Sequence, residues 1–360
     1  MPEVNQQLIA DRLSISRATV SRCFTNHAGI SPVTRAKVFQ LAAELGYTHM
    51  ENRKPAKKKK ARARASFQVL ICSDADEYFS GGYESPGEQI LAGVSEYAQS
   101  HDFKVEVNLI PPSAVSLEDA AFENLELFAK RTNHGVLLIY PFPEPVIDQL
   151  ALRFPLVSLV DQLEHNSIDC VDVDHYAGIS SAVEHLVDAG HQRIGFYTKD
   201  YPVEASWSFR RYSAFMEKMA RLKLKVQPKD VIGIFPRIFG SEEARFEEAV
   251  ARSQQGVTAW ICAADHQAYD LIRALKKAGM KVPREVSVTG FDGIEKRKSS
   301  PALTTIEIPY REIGITGAGC RSAFTESVTF TSRGNCVSER RWEVQSKFPR
   351  LRGLVGAAFF

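Results

Sequence analysis

Between residues 67 and 289 short apolar runs alternate with helix-length amphipathic stretches, and few folds accept that order. The runs are Phe67–Cys72, Val105–Ile110, Gly135–Tyr140, Leu156–Val160, Arg193–Tyr197, Val231–Phe235, Ala259–Ala263 and Val286–Thr289. Among them lie Glu88–Ser100, Gly178–Ala189, Phe209–Arg221, Ser241–Ser253 and Gln267–Ala278, with apolar residues at helical spacing. Strand and helix in alternation predict parallel sheets covered by helices, an α/β body. Its length suits two similar subdomains with a boundary near 166 and a cleft between them. Ligands of open α/β sheets sit at the carboxyl ends of the strands, so the cleft is the expected binding place.

Charge divides the chain differently. Residues 1–66 carry a net charge of +9, residues 67–319 carry −11 and residues 320–360 carry +4. A basic head on an acidic body points to a polyanionic partner for the head alone. A basic tail with no specific partner has the same charge, so the residues of the head must decide.

The head, residues 1–50, reads as three short helices. Asn5 is placed to cap a helix from Gln6 to Leu13, and Ser16 a second from Arg17 to Phe24. Ser31-Pro32 opens a third, with proline at the first helical position, and Gly46 is its expected stop. Two helices joined by a tight turn at Ser14-Ile15, backed by a third, form a helix-turn-helix unit. The second helix of such a unit enters the major groove N-terminus first. Arg17, Ala18, Ser21 and Arg22 lie at or near its start and along its outer side, where an Arg can donate two hydrogen bonds to guanine O6 and N7. Ser16, Thr19, Ser21, Asn26 and Thr34 are short polar residues suited to phosphate oxygens, which set register without reading sequence. A protein-binding helical module with a solvated Arg face is the other reading of these residues.

Residues 4–47 resemble the headpiece of the LacI/GalR family of bacterial transcription regulators. The resemblance rests on A-T-V-S-R at Ala18–Arg22, I-S-P-V-T-R at Ile30–Arg35 and E-L-G-Y at Glu44–Tyr47. It continues in the body through V-D-V-D-H-Y-A-G (171–178), H-L-V-D-A-G-H-Q-R-I-G-F (185–196), T-A-W-I-C-A-A-D-H-Q-A (258–268), V-P-R-E-V-S-V-T-G-F-D-G-I (282–294) and P-A-L-T-T-I (301–306). It implies a helix-turn-helix headpiece on a two-subdomain, periplasmic-binding-protein-like (type I) α/β core. It also implies a homodimer on a near-palindromic duplex operator, and a sugar- or nucleoside-like effector in the cleft. By resemblance Arg17 and Ala18 occupy the main base-reading positions and Arg22 another. In the body, by the same resemblance, Arg211, in S-F-R-R-Y, is the Arg that grips the ligand, and Asp292, in G-F-D-G, a carboxylate that accepts from it. Asp265 follows Ala264, which stands where the family usually has Asn, so one polar contact is missing. Tyr78 and Phe79, on a long first loop, offer aromatic faces to a sugar or base. A structural ion pair between Arg211 and Asp292 is the alternative to a ligand grip.

Two segments depart from the family. The linker, residues 51–66, holds eight Lys or Arg and one Glu, with no Leu between Met50 and Phe67. The family's hinge helix inserts a leucine into the minor groove, and a wedge must be apolar to replace base stacking. Lys57, Lys58, Lys59 and Lys60 are instead expected to track phosphates as a polycation. Residues 320–360 show neither helical periodicity nor the family pattern, as a shifted reading frame or a divergent tail would give, and poor order is expected there.

The remaining classes are narrowed by what the sequence lacks. There is no P-loop, no G-x-S-x-G, no H-E-x-x-H and no dinucleotide fingerprint after a strand, so the expectation is not an enzyme. The six cysteines show no C-x-x-C spacing, and neither a metal nor another cofactor is expected. No apolar run reaches the ~18–20 residues of a membrane span, and the polar first thirty residues suggest a cytoplasmic setting. A solute-binding receptor with the same body is the runner-up, and it would need an export signal in place of the DNA-reading head.

Overall fold

A computed structural model describes residues 4–25, 27, 29–45, 47, 66–73, 85–123, 125–129, 134–163, 168–234, 241–294 and 302–320. Asn26, Gly46, Lys57, Lys58, Lys59, Lys60, Tyr78, Phe79 and the 321–360 part of the tail lie outside them.

The headpiece is α1 (Gln6–Arg12), α2 (Arg17–Phe24) and α3 (Pro32–Glu44). All three start where a side chain satisfies free backbone N–H groups. Asn5 accepts from Gln7 and Leu8 N–H, Ser16 from Thr19 N–H and Ser31 from Thr34 N–H. Ile9, Ala10, Val20, Cys23, Ile30 and Val38 are buried together. Arg35, 1% exposed, ties α3 to the end of α2 by donating to the carbonyls of Cys23 (2.7 Å) and His27 (2.9 Å). A cation there also meets the negative end of the α2 dipole.

The first lobe is built on a parallel sheet ordered β2-β1-β3-β4-β5. Its strands are β1 (Ser66–Cys72), β2 (Lys104–Ile110), β3 (His134–Ile139), β4 (Leu156–Leu159) and β5 (Asp169–Val171). Helices α4 (Pro86–Ser100), α5 (Glu126–Ala129) and α6 (Glu144–Ala151) fall between them. The second sheet is ordered β10-β9-β8-β6-β7, from β6 (Ile194–Tyr197), β7 (Val231–Ile232), β8 (Ala259–Cys262), β9 (Ser287–Asp292) and β10 (Thr304–Glu307). Its helices are α7 (His175–Asp188), α8 (Ser206–Arg221), α9 (Glu242–Gln254) and α10 (Asp265–Lys277). All the pairings are parallel. The strands β1, β4, β6 and β8 are buried along their whole length and read as apolar runs broken only by Ser66, Gln68 and Ser158, because both faces are covered. The chain leaves the first sheet after Val171, a few residues beyond the expected boundary near 166.

One helix crosses back. α11 (Tyr310–Gly319) follows β10 of the second sheet but packs on α4, β4 and β5 of the first lobe. It meets α4 backbone to backbone. A Cβ on Gly93 would fall 2.0 Å from the Arg311 carbonyl oxygen, and one on Gly314 2.0 Å from that of Ile90. The headpiece also rests on this lobe, with α3 against α4 and β2. Gln40, 3% exposed, donates to Glu88 of α4 at 3.1 Å.

Candidate functional site

Two sites were expected; the structure sets Ser16, Arg17, Ala18, Thr19, Ser21 and Arg22 on and at the start of one helix, leaves Thr34 on the next helix beside Ser31, and brings Arg211, Asp265 and Asp292 together. On the headpiece, Arg17, Ala18 and Arg22 are exposed along α2, and Ser16 is exposed at its start. Thr19 and Ser21 are half-buried beside them. The Ser16 and Thr19 hydroxyls lie 2.9 Å apart, as do those of Ser31 and Thr34 at 2.8 Å. Capping occupies these groups locally, which fixes the helix starts and leaves the arginines as the long donors of this face.

In the core, Arg211, Asp265 and Asp292 converge from α8, α10 and the end of β9. The Arg211 guanidinium carbon lies 4.0 Å from the Phe291 ring centre and 4.6 Å from that of Trp207, a cation between two aromatic faces. Gly178 makes room for the Phe291 ring, since a Cβ there would come within 2.7 Å of it. Arg211 donates through Nε to His175 Nδ1 (3.3 Å), and through Nη1 to the Ala263 carbonyl and to Asp292 Oδ1 (3.5 Å). His175 Nδ1 therefore accepts, and its Nε2–H faces Asp172 Oδ2 at 2.9 Å. The chain of partners fixes the tautomer.

Asp292 is fully engaged. Its Oδ1 also accepts from the Tyr310 hydroxyl at 2.7 Å, and its Oδ2 from Asp265 N–H at 3.1 Å. Asp265 accepts from the Thr305 hydroxyl and from Ile294 N–H, the latter at 2.9 Å. Gly290 leaves space for it, because a Cβ there would lie 2.1 Å from Asp265 Oδ1. The Arg211–Asp292 ion pair, open as an alternative on sequence grounds, is thus present. It lies within the second lobe, at the carboxyl ends of its strands.

A second row of polar groups runs alongside. Gln267 donates to the Tyr201 hydroxyl at 2.7 Å, leaving that hydroxyl to donate to His266 Nε2 at 3.3 Å. Burial, with Lys199 and Arg211 nearby, pulls His266 down to about 3, so it stays neutral. Across the cleft, Ser206 of α8 donates to Asp161, and Arg210 donates to the Gln162 carbonyl at 3.3 Å. Burial pushes Asp161 up to about 6. His175, Trp207, His266 and Tyr310 were not read from the sequence, since their positions depend on contacts between distant elements.

Burial, with the neighbouring Asp292 charge, raises Asp265 from its ordinary 3.8 to about 7. The folded chain then holds a proton that the unfolded chain releases above pH ~4. Asp265 supports the fold most below pH ~4 and withdraws that support as the pH climbs through 7. Depressed His266 acts in the opposite sense below pH ~6.5, but Asp161 and His266 are common to parent and variant. We therefore expect Asp265→Asn to lose stability against the parent at pH 5 and to lose less at pH 8, as urea melts at both pH values will show. A gap independent of pH would mean that Asp265 is ionised throughout.

A capped helix-turn-helix with an arginine-bearing face, joined to a two-lobed α/β core with a polar cleft, defines a ligand-responsive DNA-binding regulator. Two family models match, "Bacterial regulatory proteins, lacI family" over residues 7–49 and "Periplasmic binding protein-like domain" over residues 183–319. The HTH-type transcriptional repressor CytR of Escherichia coli is 27% identical over 317 residues, 85% of each chain. The lactose operon repressor of Escherichia coli is 28% identical over 315 residues, 86% of this chain and 81% of that one. A solved transcriptional regulator CelR–cellobiose complex shares the fold, with a TM-score of 0.59, 22% identity, and 88% and 91% of the two chains covered. The headpiece thus matches the lacI family of bacterial regulatory proteins and the second lobe a periplasmic-binding-protein-like domain. Among the described residues no helix is long and apolar enough to cross a membrane.

Proposed function

We propose that the chain is a repressor of transcription that binds a near-palindromic duplex as a homodimer and is controlled by a sugar- or nucleoside-like effector held in the cleft. The observation that carries this reading is the solvent-facing row Arg17, Ala18 and Arg22 on a capped α2. Two copies related by a two-fold axis would present two such rows to two half-sites. Relatives named as repressors, and a solved neighbour with bound cellobiose, support a sugar-like effector. Arg211 between two aromatic rings, beside Asp292, is the proposed floor of that site. Tyr78 and Phe79 are proposed to stack on the effector, and Lys57, Lys58, Lys59 and Lys60 to contact phosphates together with Asn26 and Thr34. Residues 1–50 would be the DNA-binding headpiece, 51–66 a basic linker, 67–319 the effector-binding and dimerisation core, and 320–360 an atypical tail.

The test is selection of duplexes from a random pool, followed by mobility shifts. Arg17→Ala is expected to cut discrimination for the selected duplex by about 1–3 kcal/mol, roughly five- to 150-fold, while leaving non-specific binding. Lys57→Ala is expected to weaken every duplex alike and to flatten the log–log salt dependence by about 0.9. Equal losses on every sequence from both variants would reject these roles. A melting screen of sugars and nucleosides then identifies the effector, since a ligand of the folded state raises Tm by mass action.

A further inference from the structure

A continuous line of contacts joins the cleft to the headpiece, buried at Asp292, Tyr310 and Gln40 and partly exposed at Arg311 and Glu96. It starts at Asp292, whose Oδ1 already accepts from Tyr310 at 2.7 Å and from Arg211 at 3.5 Å. A carboxylate oxygen offers about two lone-pair directions. An effector hydroxyl arriving at Oδ1 therefore competes with the Tyr310 hydroxyl. Tyr310 is 4% exposed and is the first residue of α11, so displacing its ring disturbs the first turn of that helix. The Gly93 and Gly314 contacts leave no room for α11 to shift without α4. Arg311, the next residue of α11, pairs with Glu96 of α4 at 2.5 Å. α4 in turn carries Glu88, which receives Gln40 of α3. Packed helices of this kind move between discrete arrangements and do not stretch.

We propose that Tyr310 is a positioning residue that reports the state of Asp292 to the headpiece through α11, α4 and α3. This rests on the cleft being the effector site. Tyr310 touches neither DNA nor, on this account, the effector; it acts by choosing whether Asp292 is shared or held. Spatial continuity alone does not establish coupling, so the test must measure it at both ends.

The experiment compares the full chain with Tyr310→Phe, Gln40→Ala and the double variant. The first readout is amide hydrogen exchange, which needs no ligand. Tyr310→Phe is expected to speed exchange of α3 amides between Ala36 and Ala42 at least fivefold, as Gln40→Ala does, while amides of α9 stay unchanged. The second is affinity for the duplex that the unaltered chain selects from a random pool. Tyr310→Phe is expected to shift it at least fivefold, and the effect is expected to shrink when Gln40→Ala is already present. A fall supports the proposal with an effector that releases DNA, and a rise supports it with one that favours binding. Unchanged α3 exchange overturns the proposal, as does a strictly additive cycle. Should the unaltered chain select no duplex, the regulator reading fails, and the exchange comparison still decides whether Tyr310 and α3 are coupled. If Tyr310→Phe does not fold, Asp292→Asn takes its place, weakening the same bond without changing side-chain volume.

Discussion

Arg211→Ala is expected to lower stability by about 3–5 kcal/mol, the usual loss when one partner of a buried ion pair is removed. At roughly 2–4 °C per kcal/mol for a core of this size, Tm should fall by about 6–20 °C. Three terms act together. Phe291 and Trp207 lose the cation between them, the Ala263 carbonyl and His175 lose a donor, and Asp292 is left buried with only neutral donors, the Tyr310 hydroxyl and the Asp265 N–H. Burial already raises Asp292, and Arg211 is the largest influence holding it down. Without Arg211 the carboxyl should take up a proton more readily, so the loss is expected to be smaller at pH 5 than at pH 8. Arg211→Lys keeps the charge but not the flat fork that stacks and donates in several directions, and most of the loss should remain. Any sugar or nucleoside that raises the parent's Tm should no longer do so with either variant. A melt within 2 °C of the parent for Arg211→Ala would show that the guanidinium holds nothing.

The second large effect concerns a residue with no side chain. Gly314→Val places its Cβ 2.0 Å from the Ile90 carbonyl oxygen, where no rotamer relieves the clash because the obstacle is backbone. α11 and α4 must separate by more than an ångström, and the loss is expected to be about 3 kcal/mol or more. Differential scanning calorimetry should show a Tm lower by roughly 6–12 °C, or no folded protein at all. A valine accommodated without penalty would mean that the two helices are not in backbone contact.

What could be read beforehand follows from how local each signal is. Asn5, Ser16 and Ser31 announce their helices because a cap involves residues two or three apart, and all three cap as expected. Most strands of both sheets show as apolar runs because they are covered on both faces. β5 and β10 did not, since they have three and four residues, none of them buried. α6 is hard to read from the sequence because Pro143 and Pro145 bracket its start. The arginine and carboxylates of the cleft came from resemblance and not from periodicity. Tyr310 gave no signal, because its importance lies in a bond to a residue 18 positions earlier. α11 meets the α4 backbone at Gly314, a residue with no side chain, so a hydrophobic pattern could not mark that contact.

The return of α11 to the first lobe also sets an order of events during synthesis. Domains generally fold as units, amino-terminal ones first. Here the lobe that leaves the ribosome first lacks its closing helix until residue 319 has been made. The second lobe, by contrast, has its own helices as soon as its strands emerge. The nascent chain thus carries an uncapped α4 while the later half folds, and a premature stop anywhere before Tyr310 would strand the earlier lobe in that open form.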